Sequence, residues 1–158
     1  MAEINRIVQQ MKLAFNGKAW HGPALQEVLA NVNAAQAAAK PIANAHSIWE
    51  IVLHLTAWHK FVIKRLSGEE VFDVPMEDDW PAVSDASEAS WQKTLQELKK
   101  QHHNLCEAAA RLQESDLSKI MRSADSDHSI YVMLHGVIQH DLYHAGQIML
   151  LRKAVTSS

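Results

Sequence analysis

The stretch HDLYHAGQIMLLRK, residues 140–153, sets two histidines four positions apart in what otherwise reads as a buried helix. Four residues advance a helix by about 400°, so His140 and His144 point within about 40° of each other, with Cβ atoms roughly 6 Å apart. Two imidazoles so placed either share a metal ion or hydrogen-bond within a core. Around them, Met133, Val137, Ile148 and Leu151 fall on the same face. That period predicts a long helix over about 128–154, capped by Ser126 or Asp127 and closed by Arg152 and Lys153.

Three further long helices follow from the same period. Ile4, Ile7, Val8, Met11 and Phe15 form one stripe, which stops before Asn16-Gly17. SIWEIVLHLTAWHKFVIKRL, residues 47–66, opens with Ser47 and Glu50 in capping-box spacing and ends in Lys64 and Arg65. Its buried stripe is Ile48, Ile51, Leu55, Trp58 and Val62, with His54 inside it. From about Ser87 to Leu112, Trp91, Leu95, Leu98, His102, Leu105, Ala109 and Leu112 alternate in steps of four and three. Between the first two long helices, Pro23 and Pro41 bracket room for one or two short helices. Residues 67 to about 86 hold no period and read as a long loop, of a length often tied to function.

Four amphipathic helices with short accessory ones predict an all-α fold, a four-helix bundle forming a single domain over 1–158. With only nine Gly and Pro together, the composition agrees. The formal charge of −3, with both signs interspersed, argues against nucleic acid as a partner. No apolar run approaches the roughly 18 residues of a membrane span, so a membrane is not expected as a partner either. Cys106 is the lone cysteine, without a partner for a disulfide or a CxxC site, and suits a reducing compartment. The expected setting is cytoplasmic.

Ten histidines are the compositional outlier. His54, near the middle of the second long helix, can meet the last helix across the bundle. Three inward imidazoles must all be desolvated and repel if protonated, whereas one divalent cation takes a lone pair from each. Such a His54, His140, His144 site leaves coordination positions open, the pattern of catalytic rather than structural metal sites. Imidazole serves several first-row metals: zinc or nickel first, then iron or manganese. The spacing is not that of HExxH peptidases, because Asp141 sits one residue off the ligand face.

The segments HSIWEIVLHLTAW and HGVIQHDLYHAGQI, supported by WHGPAL, resemble the DinB/YfiT-like family of bacterial four-helix-bundle metalloproteins. That resemblance implies a metal triad of one histidine from the second long helix and an HxxxH pair from the last, which maps onto His54, His140 and His144. It also implies a homodimer. Family members include thiol S-transferases that use low-molecular-weight thiols such as bacillithiol or mycothiol, a mycothiol-dependent isomerase, and proteins named as metal-dependent hydrolases. The implied function is therefore a metal-dependent transferase or hydrolase acting on a small molecule, with a thiol supplied by a cosubstrate. The alternative is a non-catalytic metal or small-ligand binding protein of a stress response.

Other residues carry two readings each. His46 and Glu50 either line the mouth of the site or carry protons, unless Glu50 serves to cap the helix. His102 either supplies a further ligand or a hydrogen bond to one, or is a satisfied core histidine. His21 either closes over the pocket or lies on the surface. Tyr143 and Gln147 either orient a ligand or pack between helices. Trp58, on the His54 face, is the one tryptophan expected at the pocket. His59, His103, His128 and His135 share no inward face, and most are expected at the surface or at helix ends.

Overall fold

A computed structural model describes residues 2–124 and 126–156. The chain is all-α, as expected, with one minute exception. Helix α1 (Glu3–Phe15) is followed by two single-turn helices, α2 (Leu25–Leu29) and α3 (Ala34–Ala38). Then come α4 (Ile48–Leu66), a one-turn α5 (Met76–Asp79), α6 (Glu88–Ala110) and α7 (Ile130–Thr156). A 3-10 turn (Glu114–Ser118) leads into a two-stranded antiparallel ladder, β1 (Ile120–Met121) against β2 (His128–Ser129), where no strand was anticipated. Two residues per strand hold no sequence period to read.

Caps define the helix ends. Ser47 and Glu50 close a reciprocal box on α4, with Oγ accepting from Glu50 N at 3.2 Å and the carboxylate from Ser47 N at 2.7 Å. Ser87 caps α6. For α7 the expected caps were Ser126 or Asp127, but Ser129 accepts from Val132 N at 3.2 Å. Asp127 instead accepts from Ser123 N, and the Ser126 hydroxyl meets His128. Pairing of β1 with β2 holds 128–129 extended and delays the helix to Ile130.

The four long helices form a ring in which α4 packs on α6 and α7, and α1 packs on the same two. The apolar core divides into two clusters. Phe15, Ile51, Leu55, Trp91, Leu98, Ile148 and Leu151 anchor the first, and Ile7, Met11, Phe61, Val62, Leu105, Leu134 and Val137 anchor the second. The early half of α4 therefore meets the early half of α6 and the late half of α7. So α4 runs parallel to α6 and antiparallel to α7. A parallel neighbour requires a return along the whole helix, roughly 28 Å for α4, which explains the length of segment 67–87.

Between the two clusters lies a layer of buried polar groups: His54, His59, His102, Asp141 and His144, with His140 half-buried beside them. The site is built in this layer.

Candidate metal centre

Each member of the layer comes from the middle of a long helix. His54 is 5% exposed and His144 4%. His54 Nε2 lies 3.0 Å from His140 Nε2, and His144 Nε2 lies 3.1 Å from the same atom. The ligand atoms of all three lie within 4.8 Å of one another.

The outer nitrogens decide what the inner ones are. His54 Nδ1–H donates to the Asp79 carbonyl oxygen at 2.9 Å, with Asp79 Oδ1 also at 2.9 Å. His144 Nδ1–H donates to Gln147 Oε1 at 2.6 Å. A neutral imidazole has one N–H, so Nε2 of both rings is a bare lone pair. His140 can donate to only one of them, and a second lone pair is left facing nitrogen. Burial keeps all three rings neutral: it is the first cause lowering His54 and His144, and it pushes His140 down to about 4, helped by His144 and His54 beside it. Donors bonded to zinc at about 2.0 Å stand roughly 3.3 Å apart in a tetrahedron. The donor set and its spacing fit a small divalent cation.

Segment 67–87 completes the site. Asp79, at the end of α5, accepts from His54 and from Trp58 Nε1–H at 2.8 Å. Trp80 lies flat on His54 with ring centroids 3.9 Å apart, and His46 stacks on the other face of Trp80 at 3.6 Å. Asp79 and Trp80 were not anticipated, and Trp58 is not the only tryptophan at the site. Their one signal was an aromatic next to paired acids, DDW, in the aperiodic loop.

The remaining candidates separate cleanly. Trp58 stands at the site, its ring 6.1 Å from His54 and 5.5 Å from His140. Gln147 orients His144, while Tyr143 is exposed and meets the edge of His144 at 5.0 Å. Glu50 is committed to its cap and to Lys40 Nζ at 2.8 Å. His102 is a core histidine: it stacks on Phe15 at 3.7 Å, and its Nε2–H donates to the Met11 carbonyl at 3.2 Å. His21 is exposed and makes no hydrogen bond or ring contact among the described residues.

His59 departs most from expectation. It is fully buried, and its Nε2 lies 2.9 Å from Oδ1 of Asp141, itself 2% exposed. This pair ties α4 to α7 one position from His140. His103 and His128 are exposed, as anticipated.

The sequence profile of the DinB superfamily matches residues 19–148. The chain belongs to that superfamily. A search of curated proteins gives no match. Among solved structures, the chain is similar to a conserved protein from Enterococcus faecalis, with 16% identity and a TM-score of 0.73, covering 100% of this chain and 99% of the other. That likeness extends the shared fold over the whole chain. No helix among the described residues is long and apolar enough to cross a membrane.

Proposed function

We propose that His54, His140 and His144 hold one divalent metal ion, zinc or nickel before iron or manganese, with coordination positions left open. On this reading the protein is a metal-dependent enzyme acting on a small molecule, a thiol S-transferase or a hydrolase. The observation that carries the reading is the convergence of three Nε2 atoms, with the His54 ring fixed from outside by Asp79 and the His144 ring by Gln147. A bound divalent metal lowers the pKa of a water to roughly 7 or deprotonates a coordinated thiol.

The chain's own residues orient the ligands and exclude water. Trp80 covers one face of His54, and Trp58 walls the space beside His140. Cys106 is buried and pushed up to about 11 by burial, so it is no nucleophile near neutral pH. A thiol would come from a cosubstrate, in keeping with a reducing cytoplasm.

One observation favours a second reading, a binding protein without a reaction. The carboxylates around the site are each engaged: Asp79 by His54 and Trp58, Asp141 by His59, and Glu50 by its cap. None of these three is free as a general base.

The test is elemental analysis of untagged protein purified without chelators or nickel resin, beside His54→Ala. About one metal per chain in the wild type and little in the variant is expected. Equal occupancy in both would sink the triad. Turnover of thiol conjugates or hydrolysable esters by the loaded wild type, lost in His54→Ala, separates the enzyme from the binding protein.

A further inference from the structure

His140 lies on the wall of a half-open cavity of about 390 Å³, which a buried arginine also lines. Helix α4 sets up this arrangement. Arg65 follows His54 by eleven residues, three turns and about 20° more, so both side chains leave the same face roughly 16 Å apart along the axis. Because α7 is antiparallel to α4, the same path leads on α7 from His140 through Gly136 to Met133. Trp58, Phe61 and Val62 form the apolar wall between the two ends.

Arg65 is an unusual occupant of such a wall. It is only 6% exposed, and burial pulls its pKa below the ordinary value, with Asp127 acting in the opposite direction. One N–H donates to the Arg122 carbonyl, and Cζ stands 5.3 Å from the Phe61 ring. Among the described residues no carboxylate comes within ion-pair distance of it. A guanidinium offers five donors in a planar fork that matches a carboxylate, and Asp127, the acidic group that acts on Arg65, stands beyond ion-pair distance.

Gly136 adds a second observation. It lies about two turns into α7, inside the helix where glycine is weakening, and a Cβ built there meets no atom within 4 Å. The space it leaves belongs to the cavity. A larger cleft, about 580 Å³ between α4 and α6, is lined by Lys60, Lys64 and Glu97 and includes none of the three ligand histidines. Its charges are already mixed.

We infer that the cavity between α4 and α7 is the substrate pocket and takes a small organic carboxylate. The carboxylate meets Arg65, the apolar body lies along Trp58, Phe61 and Val62, and the reacting end reaches His140. The volume is at the small end of the range for ligand pockets. The placement of the reacting end rests on the proposed metal site, whereas the anion preference rests on Arg65.

Titration calorimetry of the full chain with octanoate and with octan-1-ol, in zinc-loaded and chelator-stripped forms, tests this. Octanoate is expected to bind at least tenfold tighter than the alcohol in both forms. Arg65→Met should erase that preference without changing zinc stoichiometry. Gly136→Leu strengthens the helix and grows into the cavity, so it should abolish octanoate binding while zinc still binds. It decides the matter if Arg65→Met does not fold. No preference for octanoate in the wild type, a preference that survives Arg65→Met, or octanoate binding intact in Gly136→Leu would each overturn the pocket. Octanoate selectivity that depends on Arg65 in a protein without zinc affinity would retain the pocket and remove the metal-site reading instead.

Discussion

At the scale of single residues, the site depends on what holds the outer nitrogens. Gln147 touches no ligand atom directly, yet it fixes the tautomer of His144. Gln147→Leu should lower metal affinity about 10- to 100-fold with the fold unchanged, measured by competition against a chromophoric chelator. His102 offers a different test, because it lies away from the ligands. Burial first, then the nearby His59 and His103, lowers it to about 4, with Asp141 and the Met11 carbonyl pulling the other way. Between pH 6.5 and 4 the unfolded chain binds the proton that the folded His102 refuses, so stability falls as pH falls through that window. The loss is of order 3 kcal/mol by pH 4. Urea midpoints at pH 7 and 4.5 should converge in His102→Leu relative to the wild type; an unchanged gap would remove His102 as the cause. The triad was legible because His54, His140 and His144 interrupt apolar stripes. His59 was not: it stands five residues from His54, about 140° round the helix. It is buried because α4 packs against α3, α6 and α7 at once, so a position off the stripe still lies inside.

Elements set which residues meet. Helix starts were readable where the capping side chain is local, as at Ser47, and unreadable at α7, where strand pairing displaced the cap to Ser129. Ser47→Ala removes the reciprocal cap of the helix that carries His54, and should cost about 1 kcal/mol in chemical denaturation. The pair of His59 and Asp141 fixes α4 against α7. Asp141→Ala leaves a buried imidazole without its acceptor and should cost about 1–3 kcal/mol, with metal affinity falling as His140 loses its register; a neutral effect on both would mean that packing alone sets the register. Segment 67–87 illustrates what periodicity cannot find. Its length follows from α4 and α6 being parallel, a tertiary fact, and its residues Asp79 and Trp80 acquire their role only when the return path brings them over His54.

On the scale of the whole molecule, the bundle is two apolar clusters joined through a polar layer. The clusters can pack much as any bundle does; the layer carries the cost of desolvating histidines and one carboxylate. A metal that binds only the folded chain therefore adds to global stability. At a free concentration a hundred times its dissociation constant it contributes about 2.7 kcal/mol. Thermal unfolding should shift upward on zinc addition and return on chelation, and the shift should vanish in His140→Ala.

The stack of His46, Trp80 and His54 gives the protein a built-in optical gauge. Of the five tryptophans, Trp58 and Trp80 adjoin the three histidines, while Trp49 and Trp91 lie in the first apolar cluster and Trp20 is exposed. Emission quenched by Cu²⁺ should therefore be drawn from Trp58 and Trp80, and in the double variant Trp58→Phe, Trp80→Phe the ion should bind almost in the dark.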